Sequence, residues 1–423
     1  MGVWDHLKEP REALPLLTHP ANDATAGIIE ELLRELRATS GRDDLRAVQE
    51  HLTAALIDVE SRYRVARRHQ KRSPGDQLEV LFWRRACVQL RCVGDAIAWH
   101  FLDFRRQWVL LHGRNQHPGI MSDKAGFGDE VSKFTEHWEA GEPTLFNALT
   151  NCITIGDLLV ADGATLTNME VKRTPGQSRR EQSDRASRLV HQINEEHVVD
   201  LHDGPVHVIE TDVPLVSYWS AADASIQRAL DAGAAGWVPT PGVSVRFMSW
   251  PTLHALGEEG AERAIETERR GMTAAVGYDG HRVPLFSSDL PYLTVPIATI
   301  NVAPMSIYPI QTEHAAALIT GRVLFVVEIF IDRIVEELQA QGLVVENLLE
   351  GIPVGELPQT ILRVRRGPVR SSIHRNVLHQ LAYELLDPAV WARAFASNVS
   401  SPPTGARRWG AHFCMADEGQ VWW

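Results

Sequence analysis

Two acidic residues and a lysine near the middle of the chain have the types and spacing that metal-dependent phosphodiester chemistry requires. Asp157 opens the apolar run 158–160, and Glu170 and Lys172 stand two residues apart at the end of the next run. Because side chains alternate between faces along a strand, Glu170 and Lys172 are expected on one face and Val171 on the other. Two carboxylates can hold a hard cation such as Mg²⁺, and a nearby ammonium can position or activate water.

The segment between the two runs favours a turn. Residues 161–164 read Ala-Asp-Gly-Ala, so the runs are predicted to form a β-hairpin that brings Asp157 beside Glu170. We expect the two carboxylates to approach within roughly 4–6 Å, near enough to share one ion.

This pattern, Asp157 followed after twelve residues by Glu170-Val171-Lys172, resembles the core of the PD-(D/E)xK, or restriction-endonuclease-like, nuclease superfamily. The resemblance covers only the middle of the chain. It implies a mixed-sheet nuclease core, nucleic acid as substrate with DNA favoured over RNA, and Mg²⁺ or Mn²⁺ as cofactor. It also implies that Asp157, Glu170 and the backbone carbonyl of Val171 hold the metal. Lys172 would orient water and stabilise charge developing on the scissile phosphate.

A helix with a glutamine near its start is predicted after Lys172. Its apolar residues recur at helical spacing, namely Ala186, Leu189, Val190 and Ile193. Many superfamily members carry a functional glutamine at this place, and Gln182 is the best match; the alternative is an ordinary polar residue near a helix end. Four arginines around the motif are the expected phosphate contacts: Arg173, Arg179, Arg180 and Arg185.

Superfamily members often add a glutamate from a helix that precedes the aspartate strand. A helix is predicted over 129–139, and the candidates near its end are Glu136, Glu139 and Glu142. Pro143 is expected to break the helix before Glu142. We therefore expect Glu139 to complete the metal site, against the alternative of a solvated acidic helix end.

Composition limits the function classes. A net charge of −12 over 423 residues argues against indiscriminate coating of nucleic acid. Basic residues nevertheless cluster at 62–72, around the motif, and at 363–375, and each cluster could be only a solvated face. Four cysteines without a CxxC pair make a reducing cytoplasm the default location. The longest apolar run, at 323–331, is too short and too interrupted to span a bilayer, so no membrane partner is expected.

The order of elements predicts an α/β chain in three parts. A helical N-terminal region covers 1–115, the restriction-endonuclease-like mixed-sheet core covers 120–245, and an α/β or α+β accessory domain covers 250–423. Nuclease cores between such accessory regions resemble effectors of bacterial anti-phage defence, which is an analogy at the level of fold. The alternative is a catalytically silent nucleic-acid-binding or scaffolding subunit regulated by its C-terminal domain. A protein partner or homo-oligomer is compatible with both.

Overall fold

Three long helices precede the candidate site. The computed structural model describes residues 15–72, 77–106, 108–109, 119–153, 155–163, 165–171, 198–201, 204–207, 215–278, 282–287, 303–349 and 358–400. The described part of the predicted N-terminal region contains helices α1 (Ala21–Arg37), α2 (Leu45–Arg72) and α3 (Gln77–Phe101). The predicted end of α3 near Trp108 is wrong, because Asp103 and Phe104 adopt positive φ angles of 52° and 57° and stop the helix.

The predicted helix and hairpin of the central region are both present. Helix α4 covers Phe127–Glu139. A three-stranded antiparallel sheet follows in the order β1-β2-β3, with β1 Thr144–Phe146, β2 Leu158–Asp162 and β3 Thr165–Met169. Gly163, in the turn between β2 and β3, has a φ of 59°, which glycine tolerates without strain.

A second, larger sheet lies further along the chain. Its strands run in the order β6-β7-β9-β8 and all pair antiparallel. The strands of this sheet are β6 Ala234–Thr240, β7 Val243–Ser249, β8 Arg282–Ser287 and β9 Val323–Phe330. Because β7 pairs along its whole length with β9, the domain boundary expected at 245–250 lies within a strand of this sheet.

The structure describes further elements outside these two sheets. A separate hairpin contains β4 Val198–Leu201 and β5 Gly204–His207. The other helices are α5 Asp223–Ala232, α6 Trp250–Ala255, α7 Gly257–Ala275, α8 Thr312–Ile319, α9 Ile331–Ala340, α10 Asn376–Tyr383 and α11 Pro388–Ser400. A third antiparallel sheet is formed by β10 Val344–Asn347, β11 Thr360–Arg366 and β12 Val369–His374.

One hydrophobic core joins all three predicted regions. It contains buried residues from α2 and α3, from the β2–β3 hairpin, and from β9 and α11. The chain is thus a mixture of helices and small antiparallel sheets. The described strands of the central region belong to three different sheets, so their pairings do not form a single mixed sheet.

Candidate metal centre at the open end of the hairpin

Asp157 lies at the open end of the β2–β3 hairpin. Its backbone N–H donates to the carbonyl of Met169, and its Oδ2 accepts a hydrogen bond of 2.9 Å from the backbone N–H of Val171. Leu158 pairs directly with Met169. Asp157, Glu170 and Val171 therefore occupy the same end of the hairpin, as predicted, with Asp157 half-buried and Glu170 exposed.

A glycine and two asparagines fix the approach of the chain to Asp157. Gly156 has a φ of 74°, and a Cβ there would lie 1.7 Å from Oδ1 of Asn168, so a larger residue would be strained and would clash. The side-chain amides of Asn147 and Asn168 both donate to the carbonyl of Ile155 at 2.9 Å. These contacts hold Asp157 on a rigid segment.

The helix carboxylate beside Asp157 is Glu130, not Glu139. Glu130 lies in the first half of α4 and is only 4% exposed, whereas Glu139 is the exposed last residue of the same helix. Nine residues separate them, which is about 13 Å along an α-helix. The two other candidates pair locally, Glu136 with Lys133 and Glu142 with His137.

The environment of Glu130 disfavours a bare negative charge. Burial is the main cause that raises the pKa of its carboxyl, and the charge of Asp157 raises it further, while Lys124 lowers it. Among the described residues, Oε2 of Glu130 accepts no hydrogen bond. The ammonium of Lys124 lies 3.9 Å from this oxygen and 3.9 Å from Oδ1 of Asp157, so one cation already lies close to both carboxylates.

Glu60 of α2 positions the loop that carries Lys124. Its fully buried carboxylate accepts hydrogen bonds from the backbone N–H groups of Met121 and Ser122 and from the Ser122 hydroxyl. Arg91 of α3 pairs with Glu60 at 2.9 Å and also donates to the carbonyls of Gly119 and Ala148. The N-terminal helices therefore hold the loop before α4.

The same helices also hold β1 and the turn before Asp157. The Gln49 side chain bonds the carbonyl of Thr144 and the N–H of Phe146, at the two ends of β1. Gly94 of α3 approaches the carbonyl of Leu149 so closely that a Cβ would lie 1.9 Å from its oxygen. The candidate centre is thus attached to the N-terminal helices at several points.

The remaining predicted site residues lie outside the described part of the chain. They are the proposed catalytic Lys172 and Gln182, and the proposed phosphate contacts Arg173, Arg179, Arg180 and Arg185. Their roles stay predictions.

The sequence did contain a signal for Glu130. Phe127, Val131 and Phe134 form the apolar face of α4 against the sheet, and Glu130 falls among them at helical spacing. An acid within an apolar stripe is expected to be buried and therefore to need a partner. Burial on the apolar face of α4 is therefore a better indication of the acid near Asp157 than position at the end of the helix.

The donor set suits a hydrated magnesium ion better than a fully enclosed one. Within the described residues, no three His, Cys, Asp or Glu side chains converge to hold a metal ion by themselves. Mg²⁺ usually keeps several waters and takes one or two protein carboxylates, with substrate phosphate completing its shell. The incompletely bonded Oε2 of Glu130 and the adjacent carboxylate of Asp157 fit that requirement.

Comparisons with known proteins leave the family of this chain open. No protein-family model, curated protein or solved structure matches it. Across the helices that the structure describes, none has both the length and the apolarity that crossing a bilayer requires.

Proposed function

We propose that this chain is a nuclease that hydrolyses phosphodiester bonds of nucleic acid, with DNA favoured, using Mg²⁺ or Mn²⁺. One observation carries the proposal: a buried carboxylate, Glu130, has an oxygen to which none of the described residues donates a hydrogen bond, and it lies beside a second carboxylate at the open end of a hairpin. The Asp157…Glu170-Val171-Lys172 pattern supports the same chemistry independently of Glu130.

A second buried acid shows what a structural carboxylate looks like in this protein. Asp95 of α3 is 4% exposed and burial raises its pKa too. It accepts hydrogen bonds from the backbone N–H groups of Asn151 and Cys152 and from the Asn151 side chain. Asp95 is therefore satisfied by the fold, as buried polar groups normally are. Glu130 differs because, within the described part of the chain, no group donates a hydrogen bond to its buried Oε2.

Each residue at the centre has a role in this proposal. Glu130 and Asp157 would hold the cation, and Glu170 and the backbone carbonyl of Val171 would be further ligands. When bound, the cation polarises the phosphate and lowers the pKa of a coordinated water. Lys124, and Lys172 beyond the end of β3, place positive charge where negative charge develops on the phosphate.

The proposal is tested by cleavage assays on plasmid, linear and single-stranded substrates with Mg²⁺, with Mn²⁺ and with EDTA. Glu130→Gln and Asp157→Asn should abolish cation-dependent cleavage. Glu139→Gln, an exposed change on the same helix, is the matched control and should cleave like wild type. Equal cleavage in EDTA, or full activity in Glu130→Gln, would assign the activity to another part of the chain.

A second candidate function follows from Lys124. Its ammonium, 3.9 Å from each carboxylate, could neutralise the pair permanently and leave a silent, nucleic-acid-binding protein. Lys124→Met distinguishes the two. In a silent protein this variant loses stability, and added Mn²⁺ does not restore it. In the nuclease, Mn²⁺ replaces the missing charge and raises the melting temperature of the variant.

A further inference from the structure

The C-terminal part of α2 carries a strong local positive charge. Residues 61–75 contain six arginines and lysines and no acid, in a chain whose net charge is −12. Two of these cations are paired, Arg62 with Asp58 and Arg64 with Asp123, both at 2.9 Å. The other four are exposed, and no carboxylate among the described residues forms an ion pair with them: Arg67, Arg68, Lys71 and Arg72. We call these four residues the basic face.

Helical geometry places the basic face on one side of α2. At 3.6 residues per turn, Arg64, Arg67, Arg68 and Lys71 fall on one stripe, and Arg72 follows Arg68 on its edge. Arg67 is also held 5.8 Å above the ring of Tyr63, which restricts its side chain. Unpaired cations repeated along a helix match the repeated charges of a phosphate backbone.

The loop at 121–124 connects the helix that carries the basic face with the candidate metal centre. On α2, Glu60 bonds the backbone of Met121 and Ser122, and one turn later Arg64 pairs with Asp123. The next residue of that loop is Lys124, which lies 3.9 Å from both Glu130 and Asp157. Lys71 of the basic face lies seven residues beyond the paired Arg64, about 10 Å along the helix, so the basic face extends away from the centre.

An aromatic cleft borders the other side of this surface. It has a volume of about 340 Å³ and lies between α2 and α3, lined by Arg62, Val65, His69 and Trp83 among others. The Arg62 guanidinium lies 5.2 Å from the centroid of the Trp83 ring. Proteins that bind single strands combine such a cationic surface with aromatic rings on which bases stack. A base within a duplex is already stacked and paired, so it would not enter the cleft without being unstacked.

We propose that the basic face of α2 binds the sugar–phosphate backbone of a single-stranded nucleic acid, with one base entering the cleft at Trp83. The strand then continues towards Glu130 and Asp157. This inference rests on the proposed function for the identity of the ligand, and it adds the strandedness and the path of the substrate.

The test is binding of a fluorescein-labelled oligonucleotide to the full chain in EDTA, followed by anisotropy over a series of salt concentrations. Arg68→Gln with Lys71→Gln removes two phosphate contacts, so the slope of log affinity against log salt should fall by about 1.4 for a single strand. The matched control is Arg365→Gln with Arg370→Gln. These exposed arginines face each other across β11 and β12, and their loss should leave the slope unchanged.

Strandedness is tested by Trp83→Leu, which keeps an apolar side chain in the cleft. Affinity for a single strand should fall about tenfold, and affinity for the matched duplex should not change. Equal slopes for the two double variants would overturn the assignment to α2. Unchanged single-strand binding in Trp83→Leu would overturn the base position.

Failure of this inference and failure of the proposed function are separable. Binding is measured without metal or cleavage, whereas the function is measured by cation-dependent cleavage. If the Arg68→Gln, Lys71→Gln variant loses oligonucleotide binding but still binds Mn²⁺, the assignment of the basic face is supported whether or not the protein cleaves. If that variant binds the oligonucleotide normally and the wild type cleaves, the assignment of the basic face is refuted and the proposed function is not.

Discussion

Replacing Glu60 by glutamine should destabilise the protein strongly. The carboxylate is fully buried, and its two oxygens share four donors: Arg91 and the N–H of Met121 on Oε1, and the N–H and hydroxyl of Ser122 on Oε2. Glutamine places an NH₂ group opposite two of these donors and leaves the buried guanidinium without a counter-charge.

The size of the effect follows from that geometry. Removing one partner of a buried ion pair typically costs about 3–5 kcal/mol, which is a large part of a total stability of roughly 5–15 kcal/mol. Because Ser122 and Met121 precede Lys124, the loop at the candidate metal centre should also lose order.

Urea unfolding of Glu60→Gln and Glu50→Gln provides the measurement and its control. Glu50 is on the same helix and pairs with Arg46 at 2.8 Å, but both side chains are solvent-accessible, so its loss should cost less than about 0.5 kcal/mol. Hydrogen exchange should show faster exchange at the Met121 and Ser122 amides in Glu60→Gln alone. A cost below about 1 kcal/mol for Glu60→Gln, equal to that of Glu50→Gln, would refute the role assigned to this pair.

Three further outcomes are expected. Burial, and then the neighbouring aspartate, raise the pKa of Glu130 above its ordinary 4.5. The native state therefore binds the proton more tightly than the unfolded chain, and stability in EDTA should fall as pH rises from about 4.5 through the raised pKa; Glu130→Gln should flatten this dependence in pH-resolved denaturation. Gly94→Ala should lower the free energy of unfolding by about 1–3 kcal/mol or more, because its Cβ would lie 1.9 Å from the Leu149 carbonyl oxygen. Thermal unfolding measures this effect. The control is Gly27→Ala, whose Cβ would meet nothing within 4 Å and which should leave stability unchanged or raise it. Burial raises the pKa of the Cys87 thiol to about 12, so this thiol should react with a thiol reagent only on unfolding, and rapid labelling of native protein would contradict its burial.

Local periodicity was sufficient to predict the elements that carry the candidate site. The apolar stripes of α1 and α2, the hairpin at 158–169 and the helix at 127–139 all follow from spacing and turn residues. The run at 323–342 is ambiguous between strand and helix, because strand β9 continues directly into helix α9 with no glycine or proline between them. Periodicity could not divide that run.

Pairing between strands explains features that residue spacing alone does not predict. Strand β6 has the sequence Ala-Ala-Gly-Trp-Val-Pro-Thr, which has little intrinsic strand propensity. It exists because it pairs with β7. Strand β7 also pairs with residues about 80 positions away in β9, so the expected boundary at 245–250 lies within a paired strand. The spacing of apolar residues along the sequence does not indicate which strands pair with each other.

The structure places a different acid of α4 from the expected one beside Asp157. The sequence favours Glu139 because it lies near a helix end. In the structure, the acid of α4 that lies near Asp157 is Glu130, on the buried face of the helix. Glu130 is buried because that face of α4 packs on β1 and β2. In the sequence, the only sign of this packing is that an acid stands within an apolar stripe.

Direct measurement of Mn²⁺ binding tests the central claim most closely. Free Mn²⁺ is titrated against the metal-free protein and followed by electron paramagnetic resonance. We expect wild type and Glu139→Gln to bind at the same tight site, and Glu130→Gln and Asp157→Asn to lose it. Mg²⁺ should displace the bound Mn²⁺. Unaltered tight binding in Glu130→Gln, or no tight binding in wild type, would contradict the assignment of Glu130 and Asp157 as metal ligands.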